Sequence, residues 1–253
     1  MIVIRKSEER RYSEAKNQKS WKTFDWENET DPLRNGFGTL KLLNEEILLP
    51  GTGFVLHASQ DLVVVTYVRE GLIIYKGPLE KMDPLVANEI HVSTVIPDAT
   101  QYAVNLSPTG NAHVFQSGFT AAGEGGSNLD GAKRLFTYAQ RNGILKLVAS
   151  SNGKDASFTL RQDVQIYSTF VHEGNHVIHE LSPGRSAWLH VVKGRILLGD
   201  FNLTTGDGAG LSREMSVSFT AQEPTEILLF DLGEPVAPET RSKSQKVASI
   251  SAD

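Results

Sequence analysis

The chain has no cysteine in 253 residues. That single absence removes disulfides, thiolate metal ligands, thiol nucleophiles and thiol redox sensing together, and it suits a reducing compartment. No apolar run is long enough to span a bilayer, and Met1 to Arg11 passes from a short strand-like run into charges without the apolar core of a signal peptide. A cytoplasmic protein is therefore expected, with no membrane partner. Positive charge is also scarce: 25 Lys and Arg stand against 30 Asp and Glu, a net charge of −5. Nucleic-acid affinity rests mainly on cations that neutralise phosphates, so no nucleic-acid partner is expected. The local exception, Arg5, Lys6, Arg10, Arg11, Lys16, Lys19 and Lys22, reads as a solvated strand edge and loop. No Gly-x-Ser-x-Gly elbow supports a serine triad, and Gly123-Glu-Gly-Gly126 lacks the strand and helix that a phosphate loop needs.

What is present is a succession of short runs rich in β-branched and aromatic residues, punctuated by Gly, Pro, Asn and Asp. Candidate strands are 39–43, 53–58, 62–68, 72–76, 90–95, 102–106 and 112–119, then 144–149, 164–171, 176–181, 187–192, 195–198, 209–212, 216–221 and 226–232. Such spacing predicts an all-β sandwich or barrel. Only Gly131 to Arg141 carries helix-like content. Thr66 to Ile74, centred on Gly71, and Leu189 to Leu197, centred on Gly194, share a strand–turn–strand pattern that reads as a hairpin and suggests an internal duplication. The expected division is an amino-terminal domain over 1–120, a linker over 121–143, a carboxy-terminal domain over 144–232 and a disordered Pro, Glu, Ser and Lys rich tail over 233–253. Trp21, Trp26 and Trp188 are expected as core or inter-domain anchors.

From Trp21 onward the chain resembles the pirins, in particular their bacterial quercetinase-like branch. The resemblance is carried by Gly36-Phe-Gly-Thr-Leu40, Leu43-Asn-Glu45, Pro50-Gly-Thr-Gly-Phe54 and Asp61 to Gly71. In the second half it is carried by Arg161-Gln-Asp163, His179, Pro183-Gly-Arg185, Ala187-Trp188, Gly206-Asp-Gly208 and Leu228 to Leu232. It implies a bicupin: two antiparallel, jelly-roll-like β-barrels in one chain. It also implies a single transition metal (iron, manganese, nickel or cobalt) in the amino-terminal barrel, held by a His-x-His and a His-x-Glu pair, and oxygen-dependent cleavage of a flavonol. The spacing makes sense because residues two apart on a strand share a face.

At those positions this chain reads His57 and Ser59, then Gln101 and Ala103 or, with the register shifted by one, Thr100 and Tyr102, and the nearby cupin glutamate reads Val63. One imidazole of the set survives. The resemblance thus implies a pirin-like bicupin whose former metal pocket, His57, Ser59, Val63, Gln101 and Ala103, binds no metal and takes a small molecule in a non-catalytic or regulatory role. A protein partner is a further implication. The alternative is a diverged metal-dependent quercetin 2,3-dioxygenase-like enzyme with a centre rebuilt from His57, His91 and His113. In the second half, His172, His176, His179 and His190 offer no pair on one face and read as structural.

Overall fold

The protein is described by a computed structural model over residues 1–15, 17–25, 27–56, 61–76, 84–95, 101–120 and 131–234. Its strands in chain order are β1 (Ile2–Arg5), β2 (Arg11–Ala15), β3 (Gln18–Lys22), β4 (Leu40–Leu48), β5 (Gly53–Leu56), β6 (Leu62–Glu70), β7 (Leu72–Lys76), β8 (Leu85–Val86), β9 (Glu89–Val95), β10 (Gln101–Val104) and β11 (Ala112–Thr120). Then come β12 (Ala132–Leu135), the one-turn helix α1 (Tyr138–Arg141), β13 (Lys146–Ser150), β14 (Phe158–Thr159), β15 (Val164–Val171), β16 (His176–Glu180) and β17 (Ser186–Lys193). The last are β18 (Arg195–Leu198), β19 (Phe201–Thr204), β20 (Gly208–Ser212), β21 (Ser216–Ala221) and β22 (Thr225–Leu232). The expected all-β class is the observed one.

The duplication is visible in the sheet order. In the first half β9-β6-β11-β4 faces β5-β10-β7-β8; in the second β20-β17-β22-β15 faces β16-β21-β18-β19, the same order with each strand moved eleven places on. Each half is thus a two-sheet cupin unit. Gly71 and Gly194 occupy equivalent places in it, but neither turn makes a hairpin: β6 pairs with β9 and β11, while β7 pairs with β8 and β10. The chain turns a corner from one sheet to the other. Glycine is needed there because φ is +78° at Gly71 and +98° at Gly194, and a Cβ on Gly71 would lie 2.3 Å from the Asn111 carbonyl oxygen.

Gly71→Ala is therefore expected to destabilise by about 1–3 kcal/mol, the usual cost of a strained backbone. Gly51→Ala, at φ +75° but with no atom within 4 Å of the added Cβ, is the comparison and should cost less. Urea midpoints of the two variants check the ranking.

The expected division of the chain needs two corrections. Strand β1 does not belong to the first unit; it adds to β20 of the second, with Ile2 opposite Leu211 and Arg5 opposite Gly208. The segment read as helix-like linker is strand β12, paired to β9 of the first unit, before the single turn of α1. The basic start is a solvated strand edge only in part, with Arg11 exposed on the edge strand β2 as expected. Arg5 and Arg10 are buried against Asp31 and Glu45, at 2.5 and 2.7 Å, and Lys6 reaches Asp207 at 3.0 Å. The strand-length run Ile2 to Arg5 meets its partner more than two hundred residues away, which no local pattern encodes. Residues 121–130 of the linker and 235–253 of the tail lie outside the described residues.

The seven-stranded sheets pack face to face and share one apolar core. Leu43, Val63, Val65, Phe115 and Phe119 of the first meet Ile166, Trp188, Leu228 and Phe230 of the second. Trp188 is fully buried, with Phe24 at 5.0 Å and Phe37 at 5.6 Å, and Gly208 lies against it where a Cβ would come within 2.5 Å of the indole. Trp21 instead packs at a tilt on the exposed Tyr12 at 5.1 Å, away from that core, and Trp26 lies outside the described residues. Burying one large apolar side chain stabilises by roughly 1.5–3 kcal/mol, so this contact binds the two units strongly.

Candidate functional site

Strand alternation decides what enters the first barrel. On β6, Val63, Val65 and Tyr67 join the core between the units, whereas Leu62, Val64 and Val68 pack with the barrel clusters. Thr66 therefore points inward. Its ladder neighbours are His91 on β9 and Gln116 on β11, which carries all three polar side chains onto one face. The Thr66 hydroxyl lies 2.7 Å from the Tyr75 hydroxyl, and the Tyr75 ring is 4.9 Å from the His91 ring. On the neighbouring strand Ser93 donates to Gln101 Oε1 at 3.1 Å, and Gln101 Nε2 donates to the Thr94 carbonyl at 3.0 Å.

This inward layer carries no charge. Burial, helped by Lys133, pushes the His91 imidazole down to about 4, and burial pushes the Tyr75 phenol up to about 12. Near neutral pH both are uncharged. Among the described residues, both ring nitrogens of His91 are buried with no hydrogen-bond partner. Buried polar groups are normally paired, and an unpaired one costs roughly 1–3 kcal/mol. Hydrogen bonding to a bound water or to a neutral polar ligand would satisfy them.

The residues of the implied metal set test poorly. Ala103 has no donor atom and is fully buried in an apolar cluster with Leu48, Phe54, Ile73 and Tyr75. Both polar atoms of the Gln101 amide are engaged. Val63 is not in the pocket, because it faces the core between the units. His113 is not there either. A bulge on β11 at His113/Val114 accompanies its placement on the outer face, where its Nε2 lies 2.8 Å from Glu45. Of the proposed rebuilt set, His91 points inward and His113 does not. His57 and Ser59 lie outside the described residues. Among the described residues, no cluster of three His, Asp or Glu could hold a metal ion.

Of the second-half histidines, His176, His179 and His190 have partners or burial, whereas His172 is exposed. His179 meets Asp231 at 2.8 Å, beside Arg185 on the same carboxylate, and His176 meets Thr220 at 2.9 Å on the other face of β16. His190 is fully buried between the units near Phe115 at 5.8 Å, and burial holds its imidazole down to about 3.

Sequence reading missed the polar seam between the barrels. Glu226 accepts from the Tyr67 hydroxyl at 2.6 Å and from Arg69 Nε at 2.9 Å. Arg141, wholly buried, donates to Tyr67 and Ser168 at 2.9 Å each and stands over the rings of Tyr67 and Phe170 at 5.1 and 4.5 Å. At the other end, Glu45 is held down to about 2. Burial opposes this, but the hydrogen bond with His113 and the charge of Arg10 outweigh it.

Comparison with known proteins places these features in context. Residues 147–232 match the family model described as the quercetinase C-terminal cupin domain. The chain is 28% identical over 232 residues to a quercetin 2,3-dioxygenase of Escherichia coli K12, covering 92% of this chain and 99% of that one. It is also 28% identical over 209 residues to a pirin-like protein of Caulobacter vibrioides, covering 82% and 89%. Among solved structures, YhhW from Escherichia coli superposes with a TM-score of 0.80 at 28% identity, covering 93% of this chain and 99% of that one. A structure of bacterial pirin YhhW from Escherichia coli with nickel(II) gives 0.79 at 25%, covering 93% and 100%.

Proposed function

The chain is a bicupin of the pirin family, and from that premise we propose that it is a non-catalytic member that binds a small, uncharged molecule in its amino-terminal barrel without a transition metal. One observation carries the reading: the two described positions of the second ligand pair hold an alanine sealed in apolar packing and a glutamine amide already engaged. A metal needs deprotonated or neutral lone-pair donors, and losing even the partners that orient such ligands costs roughly 10- to 100-fold in affinity. Recognition would fall to Thr66, Tyr75, His91 and Gln116, all neutral hydrogen-bonding groups. A cytoplasmic location accords with the lack of cysteine. No helix among the described residues is long and apolar enough to cross a membrane.

The runner-up is a diverged metal-dependent quercetin 2,3-dioxygenase. It is favoured by the relative of that name and by the inward, unpartnered His91. The two readings separate on metal analysis of the purified protein and on oxygen uptake with quercetin. No stoichiometric transition metal and no quercetin-dependent uptake are expected. The combined variant Ser59→His, Gln101→His, Ala103→Glu should gain metal affinity, and each single variant should gain little because the ligands act as a set. Flavonol cleavage by the unaltered protein, abolished by a chelator, would establish the enzyme instead.

A further inference from the structure

Where the two units meet lies a cavity of about 220 Å³, lined by Arg69 from the first unit and by Tyr138, Phe170, His172, Lys193 and Glu226 among others. It shares no residue with the inward-facing layer of the first barrel. We propose that this cavity binds a small aromatic carboxylate.

The aromatic half of the site is a surface that the fold leaves open. Tyr138 is 51% exposed on α1, and its ring meets that of Phe170 at 4.8 Å and 43°. Phe170 is backed by the Arg141 guanidinium at 4.5 Å, which fixes the ring. Offset or tilted ring contacts are the favourable ones, and an incoming planar ring extends this pair. The charge is equally one-sided. Glu226 is the only carboxylate in the lining, and both its oxygens are taken, one by Tyr67 and one by Arg69. Lys193, exposed at the end of β17, has no ion-pair partner among the described residues. In a chain of net charge −5, this is a local cation with no anion of its own. A volume near 220 Å³ is below the roughly 300–1,000 Å³ of sites for drug-sized ligands, so the ligand has one ring. Its ring lies along Tyr138 and Phe170, and its carboxylate meets Lys193.

The test titrates the full chain with benzoate by calorimetry and ligand-observed NMR. Cyclohexanecarboxylate, which has the charge without the π face, and benzyl alcohol, which has the ring without the charge, serve as comparisons. Benzoate should saturate at one per chain and bind more tightly than either. Lys193→Gln should weaken it about fivefold, the upper end for an exposed ion pair, and Tyr138→Ala about three- to tenfold. Lys193→Gln should keep the unaltered unfolding midpoint, and Tyr138→Ala, which also loses the ring contact with Phe170, should stay folded with a slightly lowered one. Failure to saturate, equal binding of cyclohexanecarboxylate, or unchanged affinity in both variants would overturn the assignment. Unchanged affinity would place the ligand elsewhere and leave the reading of the first barrel untouched.

Discussion

Glu226→Ala is expected to cost about 3–5 kcal/mol of stability, the usual loss when one partner of a buried ion pair is removed. Glu226 is 2% exposed, and it is the carboxylate on which the seam between the barrels converges. It accepts from Tyr67 and from Arg69, and it lies 3.6 Å from Arg141. Arg141 is fully buried and has no other carboxylate within ion-pair distance among the described residues. Without Glu226, that guanidinium is left beside neutral hydrogen-bond partners only. The double variant Glu226→Leu, Arg141→Met removes both charges and should recover much of the loss, since an apolar pair of similar size often replaces a buried ion pair at little cost. Urea unfolding at neutral pH measures both. A loss below about 1 kcal/mol in the single variant would show that the seam contributes little.

Lowering the pH from 7 to 5 should remove about 4 kcal/mol of stability, roughly 2 kcal/mol from each of two buried histidines. Burial holds His91 at about 4 and His190 at about 3 in the folded chain, against an ordinary value of 6.5. Below that ordinary value the unfolded chain takes up these protons and the folded chain does not, so each step down in pH favours unfolding. The loss starts as pH falls through about 6.5 and ends near the folded values. Glu45 does not contribute in this window: its stabilisation is present above its ordinary value of 4.5 and is lost only as pH falls from there through about 2. Glu46, raised chiefly by burial, takes up its proton earlier when folded and offsets a small part. Urea midpoints at the two pH values, at unchanged slope, measure the effect. His91→Phe and His190→Phe should each remove about half of the pH dependence. A flat profile would mean that these rings are protonated or solvated in the folded protein.

Local pattern and family resemblance made much of this protein readable from its sequence. Alternating β-branched runs mark the strands because the pleat sends neighbouring side chains to opposite faces. The paired glycines at 71 and 194 mark a duplicated unit because each half bends at the same place with positive φ. Ser59, Gln101 and Ala103 are what this chain carries where the resemblance implies metal ligands, an expectation that the sequence alone can raise. What a ladder does with its strands is another matter, since it depends on partners far away in the chain. The turns at 71 and 194 look like hairpins locally, and only the pairing of β7 with β10 and of β18 with β21 makes them corners between sheets. Val63 and His113 could be assigned to the pocket because a strand has two faces, and only packing against the second unit decides which one is inside. The contact of Glu226 with Tyr67 spans 159 positions and that of Arg141 with Tyr67 spans 74. Their sequence neighbourhoods carry no sign of it, because the two sheets that bring them together are held by apolar burial, which is non-directional, and the hydrogen bonds form only where that packing places their donors and acceptors.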